Sequence, residues 1–211
     1  MGIEILRLCT FVPEGATSLV DARIRDVLAP SARTTPGLIA SYAARRGTDA
    51  DAERILVSVW SSEGALTASA APNCLLGLEG ELPARTVEEL PVLLGIPVDM
   101  AVEPSILRVF RGRAKPGGLA VYIEAAQEGL QALLAAGTGP IGVFLGEVEP
   151  DVFVTVSAWS SWEHIALATG GDIERAIASQ SVHELVAGTS DHYEIIPNTM
   201  SGIVGSAAPV T

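Results

Sequence analysis

The hexapeptide VSVWSS, beginning at Val57, returns as VSAWSS beginning at Val156, ninety-nine positions later. A chain that repeats itself at such a spacing is built from copies of one supersecondary unit, which constrains the fold more than any other feature of the sequence. The likeness continues in order on either side. EILRL (Glu4 to Leu8) returns as SILRV (Ser105 to Val109), an offset of 101, and PEG (Pro13 to Gly15) returns as PGG (Pro116 to Gly118), an offset of 103. Near the two ends VDMAVEP (Val98 to Pro104) and DHYEIIP (Asp191 to Pro197) occupy matching places at an offset of 93, the first copy having the longer approach. These spacings predict two tandem units, 1–104 and 105–211, the second ending in a tail from Asn198 to Thr211 that is either a loose end or a strap over the partner domain.

Within each copy the order of elements follows from periodicity. Ile3 to Val12 and Ser105 to Ala114 alternate around Arg7 and Arg108 in β-branched and aromatic company and run into Pro/Gly turns, as strands do. Thr17 to Leu28 gathers Val20, Ile24, Val27 and Leu28 on one helical face, and Gly118 to Leu134 does the same with Leu119, Ile123, Ala126, Leu130, Leu133 and Leu134. Gly37 to Arg46 and Ile141 to Glu149 read as second strands, and the polar turns GTDADAE and EPD lead from them into the strands that carry the hexapeptides. Ser61 and Ser160 are the expected N-caps of a second helix, Ser160 and Glu163 having the spacing of a capping box, before a last strand.

Each copy is therefore βαββαβ, an α+β ferredoxin-like plan with helices on one sheet face and the other face bare. In the third strands Ile55, Val57 and Val59, like Val154, Val156 and Ala158, point one way. Leu56, Ser58 and Trp60, like Phe153, Thr155, Ser157 and Trp159, point the other. Neither set suits water, so the bare face needs a cover, and the second copy can supply it in cis. Two ferredoxin-like units packed as a pseudo-dimeric α/β barrel within one chain are the expected architecture, with further homodimerisation left open.

The net charge of −12, with 13 basic residues scattered and no basic stripe, excludes nucleic acid and anionic membranes as expected partners. Glu4 and Arg7 interrupt the N-terminal apolar run, and no stretch reaches the roughly 18 apolar residues of a membrane span, so a cytoplasmic location is expected. Cys9 and Cys74 have no CxxC spacing and read as reduced thiols. Glu163, His164, His183, Glu184, Asp191 and His192 contain no spacing that puts two ligands on one face, so no metal is expected. The TGGD at Thr169 follows no strand and is no phosphate loop.

A third strand that ends in an aliphatic run, then Trp, then Ser, then a helix opening with Glu and Ala or Leu, as in VSVWSSEGAL and VSAWSSWEHIAL, resembles the antibiotic biosynthesis monooxygenase group of the dimeric α/β-barrel superfamily. The resemblance implies paired ferredoxin-like units with a ligand pocket between helices and sheet, lined in part by Trp60 and Trp159. Some members oxidise polycyclic phenols with O₂ and no bound cofactor, others bind and open heme, and many have no assigned activity. The chain departs from the group in two ways. The histidine that active relatives carry along the helix after the tryptophan is missing from LTASAAP and LATGGD, and His164 falls nearly opposite the side of the helix marked by Trp162, Ile165 and Thr169, as a solvated residue would. The first-strand asparagine of heme-opening relatives is missing from IEILRLCTF and SILRVFRGR, which weakens heme as a cofactor.

All three histidines and two of the three tryptophans follow residue 158, which favours the second copy for any chemistry. The candidate ligand-lining residues are Trp159, Arg108, Phe110, Ser157 and His183, with Trp60 as the counterpart in the first copy; no catalytic residue is assigned. Two alternatives stand beside them. The tryptophans also suit the core of a duplicated unit, and Arg108, which can meet a ligand carboxylate or phenolate, matches Arg7 and so also suits a repeated structural ion pair. The expected function is a cofactor-independent monooxygenase-like protein acting on or binding a small flat aromatic molecule. A non-catalytic binding or structural barrel is the alternative, and heme binding or degradation is a weaker third reading.

Overall fold

The computed structural model describes residues 4–13, 19–26, 35–47, 52–69, 85–96, 102–177, 184–199 and 201–202. The first copy supplies β1 (Ile5–Phe11), helix α1 over 19–26, β2 (Leu38–Arg46), β3 (Glu53–Trp60), α2 (Glu63–Ala68) and β4 (Arg85–Ile96). The second supplies β5 (Ile106–Ala114), α3 (Leu119–Ala135), β6 (Gly142–Glu149), β7 (Val152–Trp159), α4 (Trp162–Ala168) and β8 (Val186–Ile195), followed by the short β9 (Ser201–Gly202). Strand order is β4–β1–β3–β2 in the first copy and β8–β5–β7–β6 in the second, the ferredoxin-like order twice.

The repeated hexapeptide has a physical cause. In β3 and β7 the last seven residues are all buried, so both faces of each strand are covered. Trp60 and Trp159 are completely buried, and each indole N–H donates to the serine two residues earlier on the same face, Ser58 Oγ at 2.9 Å and Ser157 Oγ at 2.8 Å. Burial would otherwise leave that N–H without a partner, so the serine and the tryptophan are written together. The register is equal too: Ile5 faces Trp60 and Arg7 faces Ser58, as Ile106 faces Trp159 and Arg108 faces Ser157.

The copies diverge where helix meets sheet. In the first, the fully buried Arg54 donates from Nε to Asp21 Oδ1 on α1 at 3.2 Å, and Arg45 reaches the other carboxylate oxygen at 3.3 Å. Ninety-nine positions on from Arg54 stands Phe153, whose ring stacks on Tyr122 of α3 at 4.8 Å. An ion pair in one copy is an aromatic pair in the other.

Three sequence expectations need correction. The helix N-caps are Ser62, which accepts from the Ala65 N–H at 3.1 Å, and Ser161, which accepts from the His164 N–H at 3.3 Å. They are not Ser61 and Ser160. Ser61 N–H bonds the Gly37 carbonyl at 2.8 Å, while the Ser160 hydroxyl meets His164 Nδ1 at 3.0 Å and forms no capping box with Glu163. His164 is accordingly half-buried rather than solvated, and it is Trp162 that is half exposed.

The last strand of the first copy is Arg85–Ile96. Pro91 and Pro97 conceal it, since proline cannot donate to a ladder and reads as a strand breaker. Its residues 92–96 pair with β6, Leu94 facing Leu145 and Ile96 facing Val143, with a register irregularity directly after the proline, between Val92 and Leu94.

Compact units consequently differ from sequence copies. One comprises Met1–Glu89, Pro97–Val102 and Ile195–Thr211; the other comprises Leu90–Ile96 and Glu103–Glu194. In the first unit the C-terminal segment is strapped to β2. Ile196 N–H bonds the Ala43 carbonyl at 2.9 Å, Thr199 Oγ1 accepts from the Ala43 N–H at 3.3 Å, and β9 pairs with Ala40 and Ser41. Ile24 of α1 is buried and Val20 packs beside it, whereas 17, 18, 27 and 28 lie outside the described residues. Cys9 is buried, and Cys74 lies outside the described residues. Among the described residues no helix is long and apolar enough to cross a membrane.

Candidate functional site

Strand alternation aims Ile106, Arg108 and Phe110 of β5 at the helices of the second unit, beside Phe153, Thr155, Ser157 and Trp159 of β7. Helix α3 turns Tyr122, Ala126 and Leu130 towards them. Between these layers lies a small inner cavity of about 10 Å³, lined by Arg108, Phe110, Tyr122, Leu130, Val143 and Thr155 among others, room for about one water. Its lining is mostly apolar, with three polar side chains.

Arg108 is 1% exposed. Its Nε and Nη2 each donate to the Ile173 carbonyl at 3.2 Å, and Nη2 also donates to the Arg175 carbonyl. Among the described residues no carboxylate forms a salt bridge with it. Burial pulls its pKa down to about 10, while the field of Tyr122, Glu174 and Asp172 pushes back, so the guanidinium stays charged at neutral pH. Arg7 does pair with a carboxylate, Glu89. The repeated ion pair allowed for by the sequence is therefore present in the first copy and, among the described residues, absent in the second, where loop carbonyls at 173 and 175 accept from Arg108 instead.

Burial raises the Tyr122 hydroxyl well above the usual tyrosine range, with Arg108 and Thr155 opposing the shift, so at neutral pH it is a donor and not a base. Among the described residues the buried Thr155 Oγ1 makes no hydrogen bond of standard geometry, although the Tyr122 hydroxyl is its neighbour. A buried hydroxyl left in this way has capacity for a ligand or a water.

Outside this cavity lies an open pocket of about 650 Å³, lined by Phe110, Asp172, Glu174, Arg175, Glu184 and Gly188 among others. Glu174 is held at its rim by the Ser190 N–H at 3.2 Å. Phe110 lines both spaces. Its ring lies 5.3 Å from the Arg108 guanidinium carbon and 6.0 Å from the Phe153 ring. Gly112 and Gly188 face each other across β5 and β8, and a Cβ on either would come within 2.6 Å of the Phe110 ring. Both positions must be glycine for the ring to lie where it does.

Of the sequence candidates, Arg108 and Phe110 come together at these spaces. Trp159 and Ser157 lie on the same sheet face but not among the lining residues; Trp159 packs with Ile106, Leu130, Val143, Ile165 and Ile177, and Ser157 is occupied by its indole. Trp60 packs in the other unit with Ile24, Leu56 and Leu66. His183 lies outside the described residues. His192 stands 5.0 Å from the Trp162 ring and 3.9 Å from a Glu174 oxygen. Among the described residues no group of three His, Cys, Asp or Glu side chains is arranged to hold a metal ion. Sequence reading missed Tyr122, Thr155 and the glycine pair. The available signal was the contrast between copies, aromatic Phe153 in the second where the first has the charged Arg54.

No protein-family model matches the chain, and no curated protein matches it. Solved structures do. The chain is similar to a "putative monooxygenase" from Lactobacillus acidophilus, at 11% identity and a TM-score of 0.74 over 95% of this chain and 96% of that one. A protein described in the same words from Fusobacterium nucleatum gives 11% identity and 0.73 over 95% of each chain. The chain has the fold of the antibiotic biosynthesis monooxygenase-like ferredoxin proteins. An anthrone oxidase-like protein matches less closely in shape, at 0.52 and 18% identity over 95% of this chain and 97% of that one. These likenesses span both ferredoxin-like copies.

Proposed function

We propose that the second unit binds a small flat aromatic molecule carrying a phenolic or enolic oxygen, and that the protein acts on it as a cofactor-independent monooxygenase. One observation carries this reading: Arg108 is a buried, charged guanidinium with no carboxylate partner among the described residues, set beside two hydroxyls in an apolar recess that adjoins a pocket of about 650 Å³. Such a group stabilises an oxyanion far better than it would in water. In the proposed chemistry Arg108 holds the substrate anion left by loss of a proton, O₂ takes its electrons, and one oxygen atom enters the product while the other leaves as water, the net change being a CH₂ and O₂ giving a C=O and H₂O. Tyr122, kept protonated by burial, donates to the same oxyanion. The ring system enters through the outer pocket, and the likeness to an anthrone oxidase-like protein supports a fused-ring phenol as the ligand class.

Binding without turnover is the second reading, favoured by the inner cavity of about 10 Å³, which is too small for a ring. The experiment is a thermal-shift screen against anthrones, polycyclic phenols and hemin, followed by O₂ consumption with any binder. A ligand at one hundred times its dissociation constant adds about 2.7 kcal/mol to native stability, an easily read shift. The expected result is a hit that is lost in Arg108→Met, with O₂ uptake deciding between the two readings. A shift retained in Arg108→Met, or none across the panel, would sink the proposal.

A further inference from the structure

The geometry points to Phe110 as the specificity-determining residue of the second unit: its ring is the partition between the outer pocket and Arg108, and only a ligand that displaces the ring reaches the guanidinium. The inference rests on the binding reading above. Phe110 is the residue common to the linings of both spaces, and at 2% exposure it belongs to the wall and not to the solvent. The outer space of about 650 Å³ takes a ring system, whereas the inner one of about 10 Å³ takes only a hydroxyl-sized group. Nothing larger than that meets Arg108 while the ring stays in place.

The position of the ring is set by the strands. Gly112 and Gly188 leave the space beside it empty of side chain, and a Cβ on either glycine would collide with it. Its packing partners on the inner side are the Arg108 guanidinium and the tilted ring of Phe153. A displaced Phe110 forfeits its cation–π contact, and a ligand restores that contact only by laying a flat aromatic face over the same guanidinium. Aliphatic ligands of equal size cannot. Selection for aromatic ligands therefore arises from exchange of one ring for another over Arg108, and not from the shape of the outer pocket alone.

The test reads access to Arg108 directly. The purified full chain is treated with phenylglyoxal, and the modification of each arginine is followed by peptide mass spectrometry, with the exposed Arg113 and Arg175 as internal standards for the reagent. In Phe110→Ala the rate at Arg108 is expected to rise about tenfold or more over wild type, since local opening is no longer needed. Phe110→Leu, which keeps an apolar plug, is expected to fall between them. Ile165→Ala removes a fully buried side chain of the same unit that lines neither space, and so loses stability without opening the partition. Its Arg108 rate is expected to stay near that of wild type. An unchanged rate in both Phe110 variants overturns the inference, as does an equal acceleration in Ile165→Ala. The rates are read without ligand, so a screen that finds no binder overturns the functional proposal while these rates still decide whether Phe110 is the partition.

Discussion

Ser157→Ala tests the reason for the repeated hexapeptide. Trp159 is wholly buried, its indole N–H donates to Ser157 Oγ at 2.8 Å, and Ser157 is itself 1% exposed, so no water takes over when the hydroxyl is removed. A buried donor left without a partner costs about 1–3 kcal/mol. Taking about 2 kcal/mol, the melting temperature of a chain of this size falls by about 4–8 °C. On a Trp159→Phe background the sign changes. There the N–H is already gone and the serine hydroxyl is the group without a partner, so deleting it is expected to be neutral or stabilising. Urea unfolding of the four proteins, followed by circular dichroism, gives the coupling energy, expected at about 1–3 kcal/mol. The same cycle at Ser58 and Trp60, bonded at 2.9 Å, is expected to return a coupling of similar size. If Ser157→Ala costs the same on both backgrounds, the hydrogen bond is not why serine stands two residues before tryptophan in each copy.

Asp21→Ala strands the fully buried Arg54 beside Arg45 and is expected to cost about 3–5 kcal/mol by urea unfolding, with much of the loss recovered when Arg54→Leu is added; no recovery would argue against the charge as the cause. Ser161→Ala is expected to cost about 1 kcal/mol as loss of an N-cap, and Ser160→Ala less; the reverse order would return the cap to Ser160. Burial holds the Tyr122 proton above its ordinary value, so the native state keeps a proton that the unfolded chain gives up near pH 10. The stability from this group is complete below pH 10 and is lost as pH rises beyond it, by up to about 1.4 kcal/mol per pH unit. Unfolding free energies measured from pH 9 to 11.5 should show a shallower alkaline decline in Tyr122→Phe than in wild type, Tyr42 contributing its own share to both. Equal slopes would refute the assignment.

Local pattern carried the architecture. The alternation in Glu53–Trp60 and Val152–Trp159 foretold strands buried on both faces, and the helical stripe of Leu119, Ala126 and Leu130 foretold which side of α3 meets the sheet, because periods of 2 and 3.6 are properties of a few consecutive residues. Reading failed where an outcome depended on a partner distant in sequence. Arg85–Ile96 was hidden by Pro91 because its pairing with β6 is a tertiary fact, and Ser160 lost the cap to Ser161 because its hydroxyl meets His164 Nδ1 instead.

The candidate site shows the same division. Sequence alone determined that two ferredoxin-like copies exist, that Arg7 and Arg108 hold equivalent places, and that Arg108 and Phe110 share a face. It could not say that Glu89 takes one arginine while the carbonyls of Ile173 and Arg175, some sixty-five residues away, take the other, nor that Gly112 and Gly188 meet to seat Phe110 between two spaces. Equivalent residues in a duplicated chain begin with equal local preferences. Their charges and cavities are then decided by whichever side chains and carbonyls the fold packs against them, and only tertiary structure specifies those neighbours.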